Sequence, residues 1–329
     1  MAIGILMLSA GKILYTPTPL SFKIPPGFPK PPTDIFKTNK LTEEGFQLGK
    51  KLFYDGNLSK DGEVSCASCH QQFAAFATYD HDFSHGVNNS FSTRNAPALI
   101  NLAWMKEWHW DGGINHIEVQ PLFPMTAANE MGEKLDTILI KIKADSAYRR
   151  MFRAAYGDAN INSERMLKAL AQFTGNLVSA DSKYDKVKRG EAVFIAPEQK
   201  GYEIFKANCT GCHKEPLFTD NSFHNTGLGL NRFKDIGRER ITLDKKDSLK
   251  FKTPTLRNIG LTIPYMHDGR FGTLEKVLDH YLNLDTTMIN LDPLLKRKML
   301  MTDRERKELV LFLYTLTDTT FTHNKRFMP

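Results

Sequence analysis

All four cysteines of this chain fall in two copies of one pentapeptide pattern, Cys66-Ala67-Ser68-Cys69-His70 and Cys209-Thr210-Gly211-Cys212-His213. Each reads Cys-x-x-Cys-His, the pattern of covalent c-type haem attachment. The spacing has a mechanical reason. Two thiols so placed can both form thioethers to the haem vinyl groups, while the adjacent histidine reaches the iron as proximal ligand. With 4 Cys and 10 His in 329 residues, chance would supply roughly 0.001 such matches. A zinc site and a thioredoxin-like redox pair are the alternatives, but zinc does not require histidine directly after the second cysteine. Two covalently bound c-type haems are therefore expected.

A chain of 329 residues usually forms two domains of ordinary size. Hydrophobic content of 41% and charged content of 25% are those of a globular protein. No run of about 18 apolar residues marks a membrane span. Residues Ala2–Ala10 are apolar, but no lysine or arginine precedes them and Lys12 follows. They read as a truncated export signal, an anchor or a flexible start. Haem is attached to such cysteine motifs outside the bacterial cytoplasm, so a periplasmic or outer-surface location is expected. With no spare cysteine, disulfides are not expected even in that oxidising space. Net charge is 44 − 37 = +7, which four haem propionates would partly offset. The remainder could steer an acidic redox partner. Lys245, Lys246, Lys250 and Lys252 form the one local basic cluster, and nucleic-acid binding is disfavoured.

Seven prolines between Pro17 and Pro32 make residues 16–32 an extended tether rather than core. A helix should begin near Thr42, with Phe46, Leu48, Leu52 and Phe53 as its apolar set. A second starts at Pro197, suited to a first turn, and runs through Tyr202, Ile204 and Phe205 into Cys209. Gly45-Phe46 to His70 and Gly201-Tyr202 to His213 thus look like two copies of one unit, a helix leading into a haem motif. Between them, one helix over 134–155 is closed by Gly157, and the next, capped by Ser163, runs to about Ala180. Thr302-Asp303-Arg304-Glu305 is a capping box ahead of the stripe Leu309, Phe312, Leu313 and Leu316. The expected architecture is all-α with long loops: residues 1–40 as signal or anchor remnant and tether, 41–190 as an N-terminal haem domain, and 191–329 as a C-terminal haem domain.

The segments Arg94-Asn95-Ala96-Pro97, Trp110-Asp111-Gly112, Glu130-Met131, Thr255-Leu256-Arg257-Asn258 and Pro264-Tyr265-Met266-His267-Asp268-Gly269 resemble the bacterial di-haem cytochrome c peroxidases and their relative MauG, over roughly residues 40–318 in order. The resemblance implies a peroxide-reactive N-terminal haem on His70 and an electron-transfer haem on His213. It implies Glu130 as the distal acid/base that moves a proton between peroxide oxygens, and Gln120 as a distal-pocket amide. It implies Trp110 as an electron relay between the haems. It implies a Ca²⁺ ion on the Asn95 side chain and the Thr262 and Pro264 carbonyls, oxygen ligands of the kind calcium prefers. Arg94, Arg257 and His267 would hold haem propionates or order the interface.

Two positions decide the branch. The peroxidases of the family place a methionine ligand fourteen residues after the histidine of Pro-Tyr-x-His-Asp-Gly; here that position is Tyr281, as in MauG. On a helix from Leu274, Tyr281 shares a face with Val277 and Leu278, while His280 is rotated about 100° away. Tyrosine in place of methionine suits a more oxidising haem. His85 resembles the histidine that caps the peroxidatic iron in resting peroxidases, with His81 a nearby competitor; MauG has no such ligand. The resemblance thus implies an oxidoreductase of the cytochrome c peroxidase type. Its leading reaction is reduction of hydrogen peroxide to water, with electrons from a cytochrome c or cupredoxin-like donor through the C-terminal haem. The alternatives are MauG-like oxidation of residues in a partner protein by high-valent haem, and a non-catalytic di-haem electron carrier. A homodimer and N-terminal membrane association stay open.

Overall fold

The computed structural model describes residues 16–329. The Ala2–Ala10 stretch, expected as a signal or anchor remnant, lies outside the described residues. Helices dominate the chain: α1 (Glu43–Tyr54), α2 (Cys66–Cys69), α3 (Leu122–Thr126), α4 (Leu135–Ala144), α5 (Ser146–Tyr156), α6 (Ser163–Thr174), α7 (Lys183–Lys188), α8 (Ala196–Asn208), α9 (Glu239–Thr242), α10 (Leu274–Leu282), α11 (Asp303–Tyr314) and α12 (Thr319–Thr322). Two short strands, β1 (Phe223–His224) and β2 (Phe251–Lys252), pair antiparallel. The chain is mostly helical, with long loops, as expected. Among the described residues no helix is long and apolar enough to cross a membrane.

Helix α1 starts where the Thr42 hydroxyl accepts from the Gly45 amide at 3.0 Å, and Glu43 and Glu44 in its first turn favour the helix dipole. Its buried face carries Phe46, Leu48, Leu52 and Phe53, each worth about 1.5–3 kcal/mol when withdrawn from water. That face packs on α6. The crossing is close because Gly49 has no side chain: a Cβ there would run into the Ala169 carbonyl and crowd the Phe173 Cβ at 3.0 Å. The second half repeats the device. Helix α8 packs on α11, and a Cβ on Gly201 would run into the Glu308 carbonyl and crowd the Phe312 Cβ at 2.9 Å.

The aromatic rings follow the same register. Phe53 lies 5.1 Å from Phe173, and Phe205 lies 5.1 Å from Phe312. Phe76 lies 6.3 Å from Phe173, and Phe218 lies 6.4 Å from Phe312. The expected duplication is therefore present, with a corrected register: Gly49, not Gly45, corresponds to Gly201. Both glycines sit one turn apart on the same face of α1. Only the partner carbonyl distinguishes them, since at Gly45 a Cβ would meet the flexible Gln172 side chain instead.

A second repeat runs through the loops. Pro97-Ala98-Leu99-Ile100-Asn101 and Pro254-Thr255-Leu256-Arg257-Asn258 match, and Asn101 and Asn258 both adopt positive φ, 56° and 60°. Trp108 bridges Ile114 as Tyr265 bridges Phe271. Inside those turns His109 (φ 65°) and Met266 (φ 74°) correspond, as do Trp110-Asp111-Gly112 and His267-Asp268-Gly269. A constant offset of 157 residues relates every pair in this second repeat.

Three expectations need correction. The helix over 134–155 is two helices, because Asp145 turns extended (φ −79°, ψ 121°) and its carboxylate accepts from the Ala147 amide, capping α5. Asn162 rather than Ser163 caps α6, which ends at Thr174 rather than near Ala180, ahead of Gly175. The proline-rich residues 16–32 are extended, but they are not a free tether. Leu20 donates to the Leu41 carbonyl at 3.0 Å, the Trp104 indole donates to the Pro29 carbonyl at 2.7 Å, and the Phe22 and Phe28 rings pack on Trp104.

Two apolar cores result. The first is built on α1, α5 and α6, and the second on α8, α10 and α11. Phe321 and Phe327, at the C-terminal end, return to the first core. Buried polar contacts join the halves: Asn258 Nδ2 donates to Ser179 Oγ at 2.9 Å, and Asp318 accepts from Ser179 Oγ at 3.0 Å.

Candidate functional site

Each haem motif leaves its helix in the same way. The His70 Nδ1 lies 2.9 Å from the Phe76 carbonyl and the His213 Nδ1 lies 3.1 Å from the Phe218 carbonyl. Phe76 and Phe218 both adopt positive φ, 58° and 54°, which turns their carbonyls back toward the histidines. Burial lowers both imidazoles, His70 to about 4, so each ring is neutral, donates through Nδ1 and keeps Nε2 as an acceptor. That is the preparation an iron-ligating histidine needs.

Both motifs open into one cavity of about 930 Å³. Interiors pack at crystal density, with few voids larger than a water molecule, so a space of this size among apolar walls is shaped for something. Its wall includes Cys66, Cys69 and His70 from one half and Cys209, Cys212 and His213 from the other. Burial pushes the Cys66 and Cys209 thiols up to about 12 and the Cys69 thiol up to about 11. Three buried ring nitrogens on this wall have no partner: Trp108 Nε1 and both nitrogens of His267. An orphaned polar atom in a dry wall costs about 1–3 kcal/mol, and a carboxylate of a bound haem would relieve the donors, Trp108 Nε1 and the one N–H of His267. The residues present fit two covalent haems.

On the N-terminal side, Glu130 lines the cavity with its carboxyl raised above the ordinary range by burial. Its backbone carbonyl accepts from the Val87 amide at 2.8 Å, and Gly86 packs directly on the 129–130 backbone. Gln120 lines the same space, its Nε2 3.5 Å from His109 Nε2. His85 lies at the rim, exposed, its ring 4.7 Å from Phe91 and 5.1 Å from His81.

On the C-terminal side, Tyr281 lies in the last turn of α10 and lines the cavity. Burial raises its hydroxyl pKa, with Cys212 and Cys209 adding to the effect. His280 points elsewhere, its Nε2 2.8 Å from the Thr226 carbonyl. The helical-face argument for Tyr281 over its neighbour agrees with this placement.

Between the halves, Trp110 Nε1 donates to the Asn95 carbonyl at 2.8 Å, and the Trp110 carbonyl accepts from the Lys252 amide at 2.7 Å. The Trp110 and His267 rings, counterparts in the repeat, meet edge to face at 6.5 Å, and His267 stacks on Phe251 at 3.6 Å. Arg94 bridges Asp111 and Asp235, each at 2.6 Å, and lines the cavity. Asn95 is buried, its Nδ2 donating to the His81 and Asp82 carbonyls at 3.3 and 3.2 Å, which leaves Oδ1 uncommitted. Thr262 and Pro264 also line the cavity. Among the described residues no group of three or more His, Cys, Asp and Glu side chains is gathered to hold a metal ion.

Arg257 is fully buried, forked onto Asp185 by two bonds of 2.8 Å and donating from Nε to the Pro216 carbonyl at 2.8 Å, and it does not line the cavity. Of the two roles expected for Arg257, these contacts fit the ordering of the interface, since they tie Arg257 of the second half to Asp185 of the first. The basic cluster is a correction, because Lys252 is buried, with burial lowering its pKa to about 8. Residues that sequence reasoning missed are His109, Trp108, Lys252 and His224, the last held between Asp220 at 3.0 Å and Asp292 at 2.6 Å. The Pro-x-Leu-x-Asn repeat was the available signal for the turns that carry His109 and Met266. The exposed run Lys296-Arg297-Lys298 was also overlooked; its Arg297 and Lys298 line the cavity with Leu294, which packs over Gly211.

Paired proximal histidines opening on one shared cavity define a di-haem c-type redox protein. A model of the di-haem cytochrome c peroxidase family matches residues 43–193. The methylamine utilization protein MauG of Methylorubrum extorquens is 36% identical over 90% of this chain and 83% of its own length. The cytochrome c peroxidase Ccp of Escherichia coli K12 is 35% identical over 69% of this chain and 50% of its own length. A solved MauG-like protein associated with microbial copper homeostasis superposes with a TM-score of 0.83 at 33% identity, covering 94% of this chain and 98% of that one. This chain belongs to the di-haem cytochrome c peroxidase family, whose members carry two c-type haems. It is an oxidoreductase of the peroxidase type.

Proposed function

We propose that this enzyme reduces hydrogen peroxide on the His70 side of the cavity and draws the electrons from a protein partner through the C-terminal half, on the MauG-like branch. In this reading residues 41–190 and 191–329 are the two haem domains and the site works in the periplasm. The reading rests on Tyr281, a cavity-lining phenol at the position where the family's peroxidases place methionine.

When bound, the haems supply the iron that reacts with peroxide and the orbitals that move electrons. The chain does the rest. His70 and His213 present Nε2 because Phe76 and Phe218 hold their other nitrogen. Glu130 keeps its proton to higher pH than an exposed carboxyl, which suits a group that gives a proton to one peroxide oxygen and takes it from the other. Gln120 orients the substrate beside it. Trp110, edge-on to His267 between the halves, is the relay. Asn95 Oδ1 and the carbonyls of Thr262 and Pro264 hold calcium, bracing the loop that carries Trp110. His267 and Arg94 would hold the propionates.

A haem held by Tyr281 would disfavour the reduced iron of an ordinary electron acceptor, and the partner would then be oxidised on its own side chains. A second reading, a peroxidase fed by a small acidic redox protein, draws on the exposed Lys296-Arg297-Lys298 run with Leu294 and Leu300 at the cavity mouth. Holoprotein given peroxide and excess reduced acidic donor separates them. Slow donor oxidation supports the first reading, and rapid donor-dependent turnover supports the second. In both, Glu130→Gln lowers the peroxide rate by about 10²–10⁴-fold with both haems retained; an unchanged rate removes Glu130 from the chemistry.

A further inference from the structure

His109 is the one titratable side chain beside Gln120 that the reading above leaves without a task. It lies between Trp108 and Trp110, lines the cavity, and packs its ring 5.4 Å from Phe123. Its positive φ is a property of the turn, since Met266 repeats it in the other half. The imidazole is particular to this half. The loop that carries it is clamped on both sides. Trp108 donates to the Ile114 carbonyl at 2.7 Å, Asp111 Oδ1 accepts from the Gly113 amide at 3.0 Å, and Asp111 Oδ2 takes Arg94 at 2.6 Å and Arg240 at 3.0 Å. The ring is therefore held in place rather than left to rotate with a loose loop.

The charged groups facing His109 are Asp111, Lys252, Arg94 and Arg240. Burial, with the three cations against the single carboxylate, keeps the ring neutral, its pKa lowered to about 4. A neutral imidazole has one donor and one acceptor nitrogen. Its Nε2 faces the Gln120 amide nitrogen at 3.5 Å. A nitrogen that meets an NH₂ group is the acceptor of the pair, and an amide that spends its NH₂ on one side presents its carbonyl oxygen to the other.

We propose that His109 is a positioning residue for the peroxide pocket: by accepting from Gln120 Nε2–H it makes Gln120 present Oε1, an acceptor, to whatever binds beside Glu130. So oriented, Gln120 takes the O–H of neutral hydrogen peroxide and gives no donor of its own to a small anion. This inference rests on the peroxide site proposed above.

The test uses holoprotein in a His85→Ala background, so that the rim histidine does not compete, and reads fluoride binding to the ferric protein by absorbance. His109→Gly tolerates the positive φ and removes the acceptor, freeing the Gln120 NH₂ to turn inward. Fluoride affinity should then rise about tenfold, the worth of one hydrogen bond to a charged group. His109→Gln keeps an acceptor at the reach of Nε2 and should return the parent affinity. In a Gln120→Leu background the His109→Gly effect should vanish. Equal or weaker fluoride binding in His109→Gly overturns the role of His109, as does an effect that persists undiminished with Leu at position 120. Fluoride that binds no variant refutes the open peroxide site itself, and this inference with it.

Discussion

At the scale of single residues, the chemistry depends on which atom of each side chain is left over after the fold has used the rest. His70 and His213 each give Nδ1 to a phenylalanine carbonyl and keep Nε2. Arg257 gives three of its five N–H groups to Asp185 and Pro216 and lies outside the cavity wall. Sequence reasoning could place the cysteines and proximal histidines because their relation is local. It could not tell Arg94 from Arg257, because the partners that decide each one, Asp235 and Asp185, lie 141 and 72 residues away. Tyr281 was legible because a helix period and a family position agree on it. Replacing Tyr281 with Met should raise the reduction potential of the C-terminal haem and remove phenolate charge-transfer absorption. Potentiometric titration and a visible spectrum check this; identical values in the variant would show that Tyr281 is not a ligand.

At the scale of elements, two helix crossings carry the two cores, and each depends on one glycine. Alanine normally gains about 1 kcal/mol over glycine inside a helix. At Gly49 and Gly201 the sign should reverse, because the new Cβ meets a backbone carbonyl that cannot move aside. A net loss of about 1–3 kcal/mol is expected for each. Gly45→Ala should cost less than Gly49→Ala, because the flexible Gln172 side chain can yield. Urea unfolding of the three variants measures the order, and a more harmful Gly45→Ala would restore the register first expected from the sequence. Helix existence was readable from caps and apolar periods; helix length was not. Asp145 looks like any polar helix residue until its carboxylate is seen capping α5.

At the scale of the whole molecule, one cavity shared by two similar halves joins the two Cys-x-x-Cys-His motifs. Trp110 and His267, counterparts in the repeat, meet at the seam. Outside, the exposed Lys296-Arg297-Lys298 run brings Arg297 and Lys298 to the cavity wall, beside Leu294, which packs over Gly211. If an acidic carrier docks there, Lys296→Glu with Lys298→Glu should lower its second-order rate about tenfold at low salt and flatten the salt dependence. Stopped-flow mixing at two ionic strengths reads both effects; unchanged rates would move the docking site elsewhere. Covalent haem attachment, helical class and the candidate distal carboxylate were determined by the sequence alone, because each rests on spacing along a few residues or on a family order that spacing preserves. The tertiary structure decided which glycine closes each core, which arginine reaches the cavity, where the basic surface lies and that His109 faces Gln120. Those are contacts between segments far apart in the chain, and only the packed molecule sets the distance between them.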